Sequence, residues 1–225
     1  MPAPGTAPAH RLPLALLASF VAALVVSGLA PYDRVTWWAE TLPALAGALL
    51  LALTYRRLRL STVSYTVAWL FALILVMGGH YTYARVPAGN WVKDALDLSR
   101  NHYDRLGHLF QGVVPALLAR ELLQRTSPLR PGGWLFTLCA SLALAVSAVY
   151  ELVEWAFAVL HGGEPAVDFL GSQGDAWDAQ KDMLMAGLGG VLGQLLLGRL
   201  QRRQIERLEA LSGGAGSPAR APARR

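Results

Sequence analysis

One cysteine, Cys139, stands in the whole chain, which excludes an intrachain disulfide and any metal site built from several thiolates. Cys139 lies in an apolar run and reads as a small core side chain. Charge is scarce as well. Asp, Glu, Lys and Arg make up 16% of 225 residues against 54% hydrophobic, and the mean hydropathy is +0.36. A water-soluble domain of this length needs more polar surface than that. Period-2 alternation is missing, which argues against a membrane β-barrel. No H-E-x-x-H, P-loop, G-x-S-x-G or dinucleotide glycine pattern occurs, so no familiar hydrolase or nucleotide signature guides the reading.

Long apolar windows are present instead, several of them near the ~20 residues that a helix needs to cross ~30 Å of hydrocarbon. Windows of that length satisfy their backbone in lipid as helices. The expectation is an all-α polytopic bundle of about six spans, near 12–30, 36–54, 61–83, 106–123, 134–160 and 182–200, making a membrane domain over 12–200. Segment 1–11 precedes it and a basic tail, 201–225, follows, low in complexity and expected to be disordered from Ser212. With the N-terminus inside, fourteen of the twenty Lys and Arg fall on the inner side, so both termini are expected in the cytoplasm. The net charge of +5 is then a topology signal rather than a nucleic-acid footprint, and the partner it implies is the lipid bilayer. Gly28-Leu-Ala30 before Pro31 has the small-x-small look of a signal-peptidase site. Its 19-residue apolar run exceeds the usual ~7–15 of a signal segment, so a retained helix is expected. Trp37, Trp38, Trp91, Trp134 and Trp177 fall near span ends, as interfacial rings do.

The ionisable residues are uneven. Asp33, Glu40, Asp94, Asp97, Asp104, Glu164, Asp168, Asp175, Asp178 and Asp182 collect at the outer side, with Glu151 and Glu154 two to three turns below it and with His80, His102, His108 and His161. The inner halves of the spans read as poor in polar residues. Three segments build the polar region. Asp104, His108, Gln111 and Pro115 share a helix face at spacings of 4, 3 and 4, Glu151 and Glu154 share one at i,i+3, and Asp175, Asp178 and Asp182 share one at 3 and 4. That last face continues to Gly189 and Gly193, a small-xxx-small pair that admits a close neighbouring helix, in the same chain or in another copy. Asn101 with Asp104, and Asp175 with Asp178, also fit helix caps with an acid in the first turn. Capping does not cover Glu151, Glu154, His108 or Asp182, which lie beyond any first turn. A lone carboxylate in hydrocarbon costs about 2.5–3.5 kcal/mol or more, so these groups are paired, protonated or line a wet cavity. Two readings stay open: a polar cluster that locks the bundle, and an outward-opening functional pocket.

The blocks NHYDRLGHLFQGVVPALLARELL, YELVEW and GDAWDAQKDMLMAGLGG, in this order and spacing, resemble the YjdF family of bacterial inner-membrane proteins, classed as a domain of unknown function. The resemblance extends to about residue 200. It implies a multi-pass protein of the bacterial inner membrane and supplies no catalytic assignments. A fainter likeness is to VanZ-like membrane proteins, whose pattern is D-x-x-x-H, a later Glu in a helix, then D-x-x-D with a following Asn. Asp104, His108, Glu151, Asp175 and Asp178 fit it. Asp182 stands in the general region where that family has Asn, and the glycine spacing departs. This likeness implies cell-envelope chemistry.

The expected site is therefore an acidic/His pocket. His108, Glu151 and Glu154 with Asp104 are the candidates for acid–base work, and Asp178, Asp182, Glu151, Glu154 and His108 are the candidates for holding a divalent cation. Carboxylates suit hard cations, and one imidazole also admits Mn²⁺ or Zn²⁺. The substrate expected is lipid-linked or periplasmic. Proton- or cation-coupled transport and a non-catalytic scaffold are the alternatives. Transport is disfavoured by the lack of an inverted repeat and by the polar-poor inner halves.

Overall fold

A computed structural model describes residues 11–163 and 169–213. Segment 1–10, Glu164, Asp168 and the tail from residue 214 lie outside the described residues, as does the side chain of His161. The chain forms α1 (Arg11–Leu29), α2 (Arg34–Thr54), α3 (Thr62–Tyr81), a 3-10 turn (Tyr83–Arg85), α4 (Pro87–Ala95), α5 (Tyr103–Thr126), α6 (Gly133–His161) and α7 (Asp178–Gly213). No strand occurs among the described residues.

Local chemistry sets several boundaries. Asp33 Oδ1 accepts from the Thr36 N–H at 2.7 Å and starts α2, and Ser61 Oγ accepts from the Ser64 N–H at 3.3 Å and starts α3. Pro87 occupies the first turn of α4, where its missing N–H costs nothing. This short helix falls in a stretch that reads as loop in the sequence. Asn101 fits a cap for α5, but the cap position falls on His102, which makes no side-chain cap bond. Asn101 Oδ1 instead accepts from the Tyr103 N–H at 2.9 Å.

Among the described residues five helices, α1, α2, α3, α6 and α7, are long and apolar enough to cross a membrane. α5 is 24 residues long but carries Asp104, Arg105, His108, Gln111, Arg120 and Glu121. It sits at the centre of the bundle, packed most extensively on α7 and also on α6 and α3, while α1 and α2 pack on α3. Its polar residues are therefore turned to other helices. The outward faces carry exposed Leu14, Val26, Leu53, Leu152, Leu195 and Leu196, apolar surface of the kind that lipid covers. α7, at 36 residues, is ~54 Å long by the helical rise, so its charged second half continues past the hydrocarbon as an unbroken helix rather than ending near residue 200.

Glycine decides how closely α5 and α7 approach. A Cβ at Gly189 would collide with the Leu109 carbonyl oxygen, and one at Gly112 with the Ala186 carbonyl oxygen. The glycines on the aspartate face of α7 thus meet α5 of the same chain, which brings the N-terminal turns of both helices side by side.

The bundle has polar layers at both ends. At the end away from the aspartates, fully buried Glu121 accepts from the Ser61 N–H at 2.7 Å, Ser61 Oγ at 2.7 Å, Ser64 Oγ at 2.6 Å and Arg125 Nη1 at 3.3 Å. Gln201 Nε2 donates to Ser64 Oγ at 3.0 Å and to the Leu117 carbonyl at 2.7 Å. The expectation of polar-poor inner halves is corrected here: one acid, two serines and a glutamine from three helices converge into one network. Between the layers lie Val67, Val114 and Leu117, all buried in one apolar cluster. His108 and Glu121 are ~20 Å apart along α5 by the helical rise.

Candidate functional site

The acidic end is assembled from five parts of the chain. Arg100 comes from the loop before α5, Asp104, Arg105, His108 and Gln111 from the first turns of α5, and Asp178 and Asp182 from the start of α7, with Asp175 just ahead of it. α6 supplies Tyr150, Glu151 and Glu154, and α2 supplies Glu40. Among the described residues, seven carboxyls gather here with three permanent cations, Arg100, Arg105 and Lys181, so the arrangement is rich in carboxyl groups even with both arginines engaged.

The arginines form a clamp. Asp178 Oδ1 accepts from Arg100 Nη1 and Arg105 Nη2, both at 2.6 Å. Arg100 also donates to the carbonyls of Ser172 at 3.0 Å and Gly171 at 3.1 Å, and approaches Asp104 at 3.8 Å. Arg105 reaches Asp175 at 3.4 Å and pairs with Asp182. Asp175 Oδ2 accepts from Lys181 Nζ at 2.6 Å and its Oδ1 from the Trp177 N–H at 3.0 Å. The Lys181 ammonium, with that N–H, holds the Asp175 carboxyl below its ordinary value. Nearby His102, in the loop, is shifted down by desolvation and by the two guanidiniums.

The covering loop is fastened by amides. The Asn101 N–H donates to Gln173 Oε1 at 3.0 Å, and Gln173 Nε2 returns to the Asn101 carbonyl at 2.8 Å. Asn101 Nδ2 donates to the Val86 carbonyl at 3.0 Å and to Asn90 Oδ1 at 2.9 Å. Gly171 has φ +60°, a left-handed backbone that glycine adopts without strain, and it brings its carbonyl to Arg100.

Beneath the clamp lies His108, 4% exposed. Its Nδ1 is 2.9 Å from Gln111 Oε1, an acceptor, a contact satisfied when Nδ1 carries the proton. Nε2 then faces Asp104 Oδ1 at 3.4 Å and Asp182 Oδ1 at 3.7 Å. A lone pair aimed between two carboxylate oxygens is repulsive, and either a proton or a cation on Nε2 relieves it. Asp104, His108 and Asp182 each offer a ligand atom, all within 4.8 Å of one another. Two ligands of one ion span up to about 4.0–4.2 Å for octahedral Mg²⁺, about 3.3–3.6 Å for tetrahedral Zn²⁺ and up to about 4.6–5.2 Å for Ca²⁺. Ca²⁺ therefore fits with the least adjustment, and the smaller ions need the three side chains to close in. Glu151 Oε1 lies 3.6 Å from His108 Nδ1. Both Glu151 Oε1 and Asp182 Oδ1 are buried with no hydrogen bond. Asp182 Oδ1 does touch Arg105, so its contact there is an ion pair without hydrogen-bond geometry.

One layer deeper, Glu40, Tyr83, His108, Gln111, Tyr150 and Glu154 line a cavity with about 10 Å³ open to a water centre, room for a single water. Glu40 is 2% exposed, and Tyr150 Oη lies 3.5 Å from its Oε2. Tyr83, in the 3-10 turn outside the spans, has its phenol pushed well above the ordinary value by burial and by the neighbouring Glu40.

Of the expected site residues, His108, Asp104, Asp182 and Glu151 lie together. Asp178 is committed to the arginines, and Glu154 lines the small cavity across from Glu40. His80 lies elsewhere, its Nδ1 2.8 Å from the Ser27 carbonyl oxygen. Sequence reasoning gave no site role to Glu40, Arg100, Tyr83 or Gln173. Glu40 carried a signal, an acid about one turn inside an apolar span. Arg100 and Gln173 carried none, since both act from loops.

The family model described as "Predicted membrane protein (DUF2238)" matches residues 12–203. The inner membrane protein YjdF of Escherichia coli (strain K12) is 46% identical to this chain over 190 residues, covering 84% of this chain and 90% of that protein. No solved structure shows significant similarity.

Proposed function

This chain belongs to the DUF2238 family of membrane proteins, and from that premise we propose that it is a six-span protein whose acidic end binds a divalent cation. Like its relative it is a protein of the inner membrane. α5 serves as the sixth span because its charges face the bundle interior, where an intramembrane ionisable residue is tolerated. The Lys and Arg distribution supports both termini on the cytoplasmic side, which makes the acidic end the outer one.

The cation lies between Asp104, His108 and Asp182, with Glu151 alongside. The observation that carries this reading is His108 itself. Its Nδ1 faces Gln111 while Nε2 is aimed between the carboxylate oxygens of Asp104 and Asp182. Gln111 then plays the orienting part that outer hydrogen bonds play at His-ligated metals. A bound divalent cation supplies Lewis-acid polarisation of a phosphoryl or carbonyl oxygen. Glu151 and Glu154 stand beside it to move protons, and Tyr150 orders the deeper carboxyls. Leu152 and Trp155, on the same stretch of α6, are exposed at 62% and 63%. The lipid phase therefore borders the two glutamates, which favours a lipid-linked or envelope substrate over a fully soluble one. The apolar layer of Val67, Val114 and Leu117 separates the two polar ends and weighs against transport.

A thermal-shift titration of the chelator-stripped protein with Mg²⁺, Mn²⁺, Ca²⁺ and Zn²⁺ tests the reading. A saturable stabilisation is expected, about 2.7 kcal/mol at a hundredfold excess over Kd. It should disappear in Asp182→Asn and in His108→Ala. No shift with any ion would remove the cation and leave the scaffold reading. Ion-coupled flux in vesicles, lost in the same variants, would move the assignment to transport.

A further inference from the structure

The opposite end of the bundle holds a second cavity, which the acidic site does not use. It has a volume of about 630 Å³ and lies between α5, α6 and α7, lined by Arg120, Arg199, Arg202, Gln194, Gly132 and Gly133 among others. Volumes of this size accommodate small-molecule ligands. Arg120 is half-buried, and its Nη1 donates to the Gly198 carbonyl and to Gln201 Oε1, both at 3.0 Å. Those bonds fix the guanidinium against α7 and use only one of its nitrogens. Arg199 and Arg202 are exposed. Arg202 pairs with Glu206 at 3.8 Å, an open contact that neutralises little. α6 starts at this cavity with no side-chain cap, so its first-turn N–H groups are unclaimed by the helix.

Gln194 gives an independent pointer. It is 5% exposed, and its Nε2 donates to the carbonyls of Phe136 and Gly190, both at 3.1 Å. Its Oε1 is buried and has no hydrogen-bond partner. The two carbonyls fix which end of the amide is which, so the side chain with the bare acceptor lines the same cavity as three arginines. An anion alone satisfies the arginines and leaves that acceptor bare. The occupant must bring negative charge and an O–H or N–H donor together.

We propose that this cleft binds the headgroup of an anionic phospholipid carrying hydroxyls, a phosphoryl-glycerol. The phosphate engages the arginine forks, which match phosphoryl oxygens bidentately, and the open first turn of α6. A glycerol hydroxyl donates to Gln194 Oε1. A lipid source is favoured over a soluble one by the apolar rim: Leu195 lines the cavity at 63% exposure, and Trp134 on the first turn of α6 is 80% exposed, the place of acyl chains and of an interfacial ring. Basic pockets between membrane helices are where such headgroups dock. The proposal is independent of the cation site and of which membrane face this end occupies.

Native mass spectrometry of the full chain, released from phosphatidylcholine nanodiscs doped with phosphatidylglycerol, tests it. Phosphatidylglycerol should be retained about tenfold over phosphatidylcholine. Phosphatidylmethanol, anionic but without a headgroup hydroxyl, should be retained less than phosphatidylglycerol. Arg120→Gln should abolish the enrichment. Because that change also removes two structural bonds, Gly133→Asp serves as the second variant. A Cβ at Gly133 meets nothing within 4 Å, and an acid at a helix start is tolerated, so the fold persists while the carboxylate repels phosphate. Its thermal midpoint in pure phosphatidylcholine should match the parent. Equal retention of both lipids by the parent, or undiminished enrichment in Gly133→Asp, overturns the proposal. Displacement of the lipid by equimolar glycerol phosphate overturns the lipid assignment in favour of a soluble phosphoester.

Discussion

Replacing Asp178 separates the clamp from the cation site. Asp178 Oδ1 is the shared acceptor of Arg100 and Arg105, and the three side chains are 11%, 8% and 10% exposed. Asp178→Ala leaves two buried guanidiniums without their best partner. Removing one member of a buried ion pair costs about 3–5 kcal/mol. Here the surroundings soften the loss: Asp175 stays within 3.4–3.6 Å of both arginines, and Arg100 keeps its two carbonyls. The expected destabilisation is therefore near the lower bound, about 3 kcal/mol. Asp178→Asn keeps an acceptor and the shape while losing the charge, and should cost about 1.5 kcal/mol. Unfolding in mixed micelles, followed by tryptophan fluorescence, gives both numbers. Divalent-ion titration of the same samples gives the second readout, because a clamp residue should leave the ion response in place in Asp178→Asn. Parent-like stability of Asp178→Ala would refute the clamp. A stable Asp178→Asn that no longer responds to the ion would make Asp178 a ligand and refute the division of roles.

Two further outcomes concern the rest of the bundle. Glu121→Ala strips the acceptor from a backbone N–H, two hydroxyls and Arg125; the hydroxyls can re-pair with each other and with Gln201, so a loss of about 3 kcal/mol is expected in the same unfolding assay, and parent-like stability would disprove the network. Asp33 caps α2, and the Thr36 N–H holds its carboxyl below the ordinary value. Its contribution is thus present at neutral pH and lost as pH falls below about 4 through the folded-state value. Asp33→Ala should cost about 1 kcal/mol at neutral pH, while Asp33→Asn should keep the cap and remove its acid dependence, both read from thermal midpoints against pH.

Length and periodicity made much of this molecule legible in the sequence. Apolar windows located the long helices, because the backbone in hydrocarbon admits little else. Spacings of three and four put Asp104 with His108, Glu151 with Glu154, and Asp178 with Asp182 on shared faces, because those offsets are fixed within any α-helix. The glycines on the aspartate face announced a close helix neighbour. Periodicity, however, fixes directions within one helix and no distance between two. Only the packing of α5 into the centre of the bundle made Gly189 the contact with Leu109, and so brought His108 Nε2 to Asp182. Only that packing gave Asp178 to the arginines rather than to the cation, and added Glu40 from a distant helix. At the far end, Ser61, Ser64 and Gln201 are ordinary polar residues along the chain and form one network with Glu121 in space. Sequence determined which residues lie on each face. Tertiary structure decided which faces meet, because short-range electrostatics and hydrogen bonds depend on ångström separations that the approach of the helices sets.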